Sequence, residues 1–323
     1  MAASIKDVAN RANVGIGTVS RVINGEDAVS EKTREKVLAA VKELDYRTNS
    51  MGVRLRRNQS NLVALLVPLI DPPFFAKFAY ALESELDKMG YSLLVISSQR
   101  RKERELTVLE KLDHREVDGV VFVTHFAHEN ISFDGLPIVS VDRHLGENTP
   151  YVTTDNYDAS ARAVRFLYEK GCRRIAYLGG CPAVESEVAE RKRAYEETVA
   201  QLGLQKHTVY PVIGHGEERK AAEAFVREMG DVDGVFVSGD IMAQALFNEC
   251  HARGIAVPDS LQIVSFDGAL NEWNYGNPLS CVVQPIAQMG EAAARLIVDR
   301  IEKKPCNVRN VIPSRFVAGG STK

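Results

Sequence analysis

The sequence predicts a small all-α helix-turn-helix head and a hinge, followed by a two-lobed α/β body with parallel, doubly wound sheets. Three observations predict it. Between Ile5 and Gly25, two short apolar stripes at helical spacing flank a break at Val14-Gly15. From Asn61 onward, apolar runs of strand length alternate with helical stretches. Lastly, Val117-Asp118-Gly119-Val120-Val121-Phe122-Val123 is echoed by Val232-Asp233-Gly234-Val235-Phe236-Val237, which points to two similar lobes rather than one large sheet.

In the head, Ile5, Val8, Ala9 and Ala12 fall at i, i+3, i+4 and i+7, the stripe of one amphipathic helix. Thr18 is expected to open a second helix whose Val19, Val22 and Ile23 repeat that spacing, with Thr18, Ser20, Arg21 and Asn24 outward. A polar, basic second helix after a tight turn is the form that enters the DNA major groove. The competing reading is a helical hairpin that docks on a protein. A third helix is expected over 31–45, capped by Ser30, with Val37, Leu38, Val41 and Leu44 closing the small core.

The stretches IKDVA, TVSRVING and VSEKTREKVLAAVKELDY, with Asn49 after them, follow one another in this head. On these residues the chain resembles the lac-repressor (LacI/GalR) family of bacterial transcription regulators. The resemblance implies that Ile16 and Gly17 stand where relatives carry base-reading side chains. One is aliphatic and the other has no side chain, so hydrogen-bond readout is not available from them, whereas contact with thymine methyls is. It also implies that the polar, basic segment after Arg47 folds into a hinge helix on DNA and wedges Leu55 into the minor groove, kinking the duplex. Arg54, Arg56 and Arg57 would meet phosphates. Gly52 replaces the usual alanine, and glycine costs about 1 kcal/mol in a helix.

Composition agrees with a DNA-binding head on a body of a different kind. The chain has 323 residues, 45% hydrophobic and 26% charged, which suits a folded protein of two or three domains. Residues 1–60 carry 11 Lys and Arg against 7 Asp and Glu, a net +4; the remainder carries 29 against 36, a net −7. No apolar run reaches spanning length and no signal segment opens the chain, so a cytoplasmic protein without a membrane partner is expected. The five cysteines lack CxxC spacing, and no metal site or cofactor is expected. His125 and His128 are read as part of a solvated loop.

Along the body, LVALLV suits a buried parallel strand, followed by helix 74–89, the run YSLLVIS, helix 102–113 and strands 117–124 and 137–141. Helix 157–169, strand 174–179, helix 187–202, strand 208–213, helix 217–229, strand 233–238, helix 241–253 and strand 262–266 continue the alternation. Helix 286–303 and the strand-like VRNVIPSRFV finish it. The family resemblance implies a body like a periplasmic binding protein, with connections crossing between lobes. The expected domains are therefore 1–48 (head), 49–60 (hinge), 61–157 with about 286–307 (first lobe) and 158–285 with about 308–323 (second lobe). No leucine follows Leu296, so a heptad seam for tetramers is absent and a homodimer on two half-sites is expected.

Two doubly wound lobes leave a cleft at the carboxyl ends of their strands. Asp71, Phe74 and Phe75 in PLIDPPFF resemble the family's effector loop, with Phe75 favoured as the contact and one of the two rings expected to pack inward. Asp142 and Arg143 end the strand PIVSV; the guanidinium could grip two hydroxyls, or the two residues could simply pair on the rim. Arg191 and Asp267 match the family's cleft arginine and its usual hydroxyl acceptor. Asp240 can cap the following helix, touch a ligand, or both, and Trp273 and Gln284 are candidate lining residues. Gly214-His215-Gly216 stands where relatives often have a stacking aromatic. No nucleophile elbow, metal set or phosphate loop appears, and Gly179-Gly180-Cys181-Pro182 is too short for a nucleotide fingerprint, so catalysis is not expected.

These residues lead to a sequence-specific DNA-binding regulator, a repressor, whose operator affinity is set by a small sugar-like effector between the lobes. Within the family, PIVSVDRHL, TTDNY and SFDG resemble sucrose-type and related saccharide repressors. A purine-like corepressor or a protein coregulator is the alternative. A sugar-binding transport protein has a similar body, but the missing secretion signal and the basic head argue against it.

Overall fold

The computed structural model describes residues 3–23, 28–46, 59–179, 186–207, 216–270 and 279–323. It divides into two units, Met1–Gln59 and Ser60–Lys323.

Among the described residues, the first unit holds three helices: α1 (Ile5–Ala12), α2 (Ile16–Ile23) and α3 (Glu31–Glu43). Ser4 and Asp7 form a reciprocal capping box at the start of α1, and Asn13 ends it in the left-handed conformation at φ 52°. The second helix opens at Ile16, two residues earlier than expected, because the carbonyl of Gly15 accepts from the amides of both Thr18 and Val19. Val8, Ala9, Ala12, Val19, Val22, Val37 and Ala40 form the core. Leu38 was expected there but is 51% exposed, and Ala40 takes its place. Ser30 stands at the N-cap of α3, yet its hydroxyl bonds the Thr33 hydroxyl (2.9 Å) rather than a backbone amide.

The described residues of the second unit are built on two sheets. The first contains β1 (Leu62–Val67), β2 (Ser92–Ser97), β3 (Gly119–Phe122), β4 (Ile138–Val141), β5 (Tyr151–Thr154) and β10 (Arg309–Ile312). Their order is β10-β5-β4-β3-β1-β2 and every pairing is parallel. The second contains β6 (Ile175–Leu178), β7 (Gly234–Val237), β8 (Gln262–Ser265), β9 (Ser280–Val283) and β11 (Arg315–Val317), ordered β11-β9-β8-β7-β6 with only β11 antiparallel. Both faces of each sheet are covered, which is why the strands read as unbroken apolar runs. In β1, Val63, Leu65 and Val67 enter one core cluster and Ala64 and Leu66 the opposite one. In β7, Val235 and Val237 face one side and Phe236 the other.

Helices α4 (Pro73–Lys88), α5 (Lys102–Asp113) and α10 (Ile286–Ile301) pack on the first sheet, and α6 (Asn156–Glu169), α7 (Ala189–Gln201), α8 (Glu218–Glu228) and α9 (Asp240–Ala252) belong to the second lobe. Helix α10 lies against α4 at Gly290, where a Cβ would come within 2.7 Å of the Ala81 Cβ and 3.0 Å of the Leu82 amide nitrogen. Only glycine permits that approach.

The chain crosses between lobes three times, after Thr154, after Val283 and between Ile312 and Arg315. The last crossing corrects the expected boundary. The run VRNVIPSRFV is not one strand: Arg309–Ile312 pairs with β5 in the first sheet and Arg315–Val317 with β9 in the second. Pro313 has no amide hydrogen to continue a ladder, and the Ser314 amide instead donates to Asp155 Oδ1 (2.7 Å). Strands β5 and β9, four residues each, were not anticipated. The expected strand 208–213 lies outside the described residues, as do Gly214-His215 and Gly180-Cys181-Pro182.

Candidate functional site

Two surfaces carry chemistry. On the first unit, α2 buries Val19 and Val22 and leaves Ile16 (42% exposed), Gly17 and Arg21 outward, with Thr18 and Ser20 half-buried. A Cβ at Gly17 would meet nothing within 4 Å, so that position is open for close approach. Asn24, Asn49, Arg54, Leu55 and Arg56 lie outside the described residues.

On the second unit, a cavity of about 280 Å³ opens where the two sheets end. Phe74, Phe75, Asp142, Arg143, Arg191, Asp240, Asp267 and Gln284 all line it. Two expected residues are not in that set: Asp71 is exposed and lies outside the lining, and Trp273 lies outside the described residues. The two phenylalanines do not divide into one core ring and one cavity ring. Both line the cavity and both pack on the first core, with Phe74 edge-on to Phe75 (5.4 Å between centroids) and stacked on Phe78 (6.2 Å).

Asp142 and Asp267 end β4 and β8 in the left-handed conformation, at φ 57° and 82°. They are the termini of a hydrogen-bonded chain along the cleft floor. Thr153 Oγ1 donates to Asp142 Oδ1 (2.5 Å), and Asn156 Nδ2 donates to Thr153 Oγ1 (3.1 Å). Asn156 Oδ1 accepts from Arg191 Nε (2.7 Å), and Arg191 Nη1 donates to Asp267 Oδ1 (3.1 Å) and to the Ser238 carbonyl (2.7 Å). Gln284 Nε2 completes it on Asp267 Oδ1 (2.6 Å). The Arg191 guanidinium also lies 3.7 Å over the Phe266 ring, which fixes its plane. These contacts leave the two Nη2 hydrogens of Arg191 without a partner among the described residues, and Gln284 Oε1 is buried with none either. Thr153 and Asn156 were not singled out in the sequence; only their place in TTDNY, before a helix, marked them.

Arg143 differs from expectation. It neither pairs with the Asp142 carboxylate nor keeps a free fork. Its Nε donates to the Thr124 carbonyl (2.6 Å), Nη1 to the Asp142 carbonyl (3.0 Å) and the Ser186 hydroxyl, and Nη2 meets His125 Nδ1 (3.0 Å). With four of five hydrogens occupied, it cannot present two parallel bonds to a ligand. Instead it ties the first lobe to Ser186.

Next to it, the Glu187 carboxylate accepts from Tyr151 Oη (3.0 Å) and Arg309 Nε (3.1 Å) and meets His144 Nε2 (3.2 Å). Burial would raise its pKa, but Arg309, His144 and Tyr151 together hold it below the ordinary carboxylate value. Burial and Glu187 in turn push the Tyr151 hydroxyl up to about 12.

Burial also raises the Asp142 carboxyl, with Arg191 and Thr153 working against it. Asp240 is pushed up to about 7 by burial and by the nearby Asp267 charge. Its helix is capped by Gly239 rather than by Asp240, whose Oδ2 accepts from the Leu270 amide (2.9 Å) and pins the loop after β8.

The solvated-loop reading is corrected for His128 alone: His125 is exposed in the loop after β3. His125 also lines the cavity, where desolvation of its ring and then Arg143 lower its pKa. The His128 side chain is 1% exposed and bonds Glu105 (2.7 Å) between Phe122 and Phe133. Among the described residues, no three His, Cys, Asp or Glu side chains converge as a metal site, and no helix is long and apolar enough to cross a membrane.

Two family profiles match the chain. One describes bacterial regulatory proteins of the lacI family and covers residues 4–49; the other describes a periplasmic binding protein-like domain and covers residues 164–322. The chain is 34% identical to the ribose operon repressor of Halalkalibacterium halodurans, over 99% of this chain and 97% of the relative. It is 30% identical to the sucrose operon repressor of Pediococcus pentosaceus, over 99% of each. Among solved structures, a complex of the transcriptional regulator CelR with cellobiose is 31% identical, with a TM-score of 0.72 over 99% of both chains. A helix-turn-helix head with an outward polar helix, joined to a two-sheet body with a polar cleft, therefore carries the sequence of its relatives from end to end, and the chain belongs to the LacI family of DNA-binding transcription regulators.

Proposed function

We propose that this regulator is a repressor whose cleft binds a small saccharide, and that the saccharide changes its affinity for operator DNA. The observation that carries the reading is the unpaired Gln284 Oε1 beside the two open Nη2 hydrogens of Arg191 and the Asp267 carboxylate. A buried acceptor without a donor is costly, so the site favours a ligand that supplies one. Acceptors and donors in alternation, opposite the rings of Phe74 and Phe75, suit a molecule bearing hydroxyls on an otherwise apolar ring. A cavity of about 280 Å³ suits a monosaccharide or one ring of a disaccharide. The cellobiose held by CelR and the names of the ribose and sucrose repressors support the same class.

The effector acts by population shift: it selects one lobe arrangement, and that arrangement sets operator affinity. The protein works as a cytoplasmic homodimer, one head per half-site. Tyr80 (75% exposed) on α4 and Leu94 and Val95 on the edge strand β2 are exposed apolar side chains of the first lobe that a second copy could cover.

A thermal-shift panel of monosaccharides, disaccharides and nucleobases tests the ligand class, followed by titration of the hit against duplexes from the DNA beside the protein's own gene. A saccharide hit that changes duplex affinity at least about tenfold (about 1.4 kcal/mol) is expected. A shift with nucleobases alone moves the reading to a purine-like corepressor. Light scattering that finds a monomer with and without the duplex removes the dimer.

A further inference from the structure

We infer that Asp118 is the positioning residue that fixes where the body releases the chain toward the DNA-binding head. Its carboxylate takes two adjacent backbone amides, Ser60 N on Oδ1 (2.8 Å) and Asn61 N on Oδ2 (2.7 Å). Those are the last residues before β1, and the segment assigned to the hinge from the sequence leads directly into them. The Asp118 amide in turn donates to the Leu62 carbonyl (2.8 Å), and the Ser92 amide donates to the Asn61 carbonyl (2.9 Å). Asn61 itself adopts the left-handed conformation, at φ 52°, so the chain turns at the clamp. Ser60 and Asn61 are thereby joined to β1, β2 and β3 at once and move with the first sheet.

The same strands reach the cleft at their other end. Strand β3 continues into Val123 and His125, and β1 leads to Pro72 and Phe74, all of which line the cavity. At about 3.3 Å per residue, the clamp lies one strand length from the cleft. A shift of the first sheet on ligand binding is delivered to the chain exit only if that exit cannot slide. Charge-assisted bonds from two consecutive amides to one carboxylate provide this restraint.

The molecule contains its own control. Asp233 occupies the matching place in the second lobe, where its carboxylate accepts from Arg173 N (2.8 Å) and Arg174 N (2.8 Å) just before β6. The echoed Val-Asp-Gly therefore staples the start of each lobe's first strand to its neighbour. In the second lobe the stapled residues follow α6, a packed helix of the same lobe. Only the first-lobe staple borders the hinge segment, so a purely structural staple predicts equal consequences at both sites and a positioning role does not.

The test rests on the proposed repressor reading, because it uses the wild-type protein's tightest duplex from the DNA beside its own gene. Full-length wild type, Asp118→Asn and Asp233→Asn are compared by thermal melting and by fluorescence anisotropy on that duplex. The two variants are expected to lower Tm alike, while Asp118→Asn loses about tenfold or more in duplex affinity and Asp233→Asn less than about threefold. Asp118→Glu, which keeps the charge but displaces the carboxylate, is expected to show the same loss at DNA. It serves as the measured variant if Asp118→Asn does not fold. Equal duplex affinities for the Asp118 and Asp233 variants overturn the inference while leaving the repressor reading intact. Failure of the wild type to prefer any duplex overturns that reading instead.

Discussion

The two walls of the cleft grow from the same architecture and differ in chemistry. Each lobe ends a central strand in a left-handed aspartate, Asp142 in one and Asp267 in the other, and each is stapled by its copy of Val-Asp-Gly. On the first wall most of the polar capacity is spent on the protein: Asp142 Oδ1 holds Thr153 and Arg143 holds carbonyls and Ser186, beside the apolar surface of Phe74 and Phe75. On the second, Arg191 keeps two hydrogens, and Gln284 Oε1, where the chain crosses between lobes, has no partner among the described residues. Topology places the two aspartates, and the loops after the strands decide which wall stacks and which wall hydrogen-bonds.

The largest break in this comparison should come from Arg191→Met. Removing a guanidinium that is 4% exposed leaves Asn156 Oδ1 without its donor and the Asp267 carboxylate without its cation, held by Gln284 Nε2 alone, and a cost of about 3–5 kcal/mol in urea unfolding is expected. A loss under about 1 kcal/mol would show that the floor chain does not hold the second wall.

Glu187→Gln, which weakens the link between Ser186-Glu187 and the first lobe, should cost less, about 1–2 kcal/mol, because Arg309 is 58% exposed and that pair is screened. The Glu187 pKa is depressed in the folded protein, so its contribution is present above the unfolded value of 4.5 and is lost as pH falls through the folded one. The difference between wild type and Glu187→Gln should therefore shrink as pH falls below 4.5 and close once pH passes the lowered folded value, in melts across pH.

Asp240→Asn should act in the opposite direction. The unfolded carboxyl ionises near 3.8, whereas the folded one keeps its proton to about 7, so the ionised form weakens the fold at higher pH. The variant should melt a few degrees above wild type at about pH 8. Its advantage should shrink steadily as pH falls through the window between those two values. A constant difference across pH would mean that Asp240 is ionised throughout.

The smallest effects on stability should come from Phe75→Leu and Gln284→Leu, each within about 1 kcal/mol. They sharpen the contrast at the ligand. With the saccharide that gives the largest thermal shift, Gln284→Leu should lose more affinity in calorimetry than Phe75→Leu, since hydrogen-bond readout discriminates more strongly than stacking area.

Local patterns were legible in the sequence and distant ones were not. The amphipathic spacing of Ile5–Ala12 and the apolar run of β1 are properties of neighbouring residues and appear as read. Leu38 misled because a helix of 13 residues over a small core buries only a narrow stripe, and Ala40 lies nearer its centre. Strands of four residues such as β5 and β9 are too short to show a period, and Pro313 splits what looked like one strand. Eight cleft residues were legible from strand ends and from the family resemblance. Their wiring was not, because Arg191 meets Asn156 and Asp267 across 35 and 76 residues of chain. Asp71 looked equivalent to its neighbours but lies outside the lining, and the burial of His128 depends on Glu105, 23 residues away.

The claim that one saccharide is held between two unlike walls is tested most directly by hydrogen exchange on the full chain, with and without the sugar giving the largest thermal shift. The account predicts slowed exchange in both walls, at the backbone after Pro73 and around Asp240 and Asp267. Protection confined to one wall, or none at a saturating sugar concentration, would contradict it.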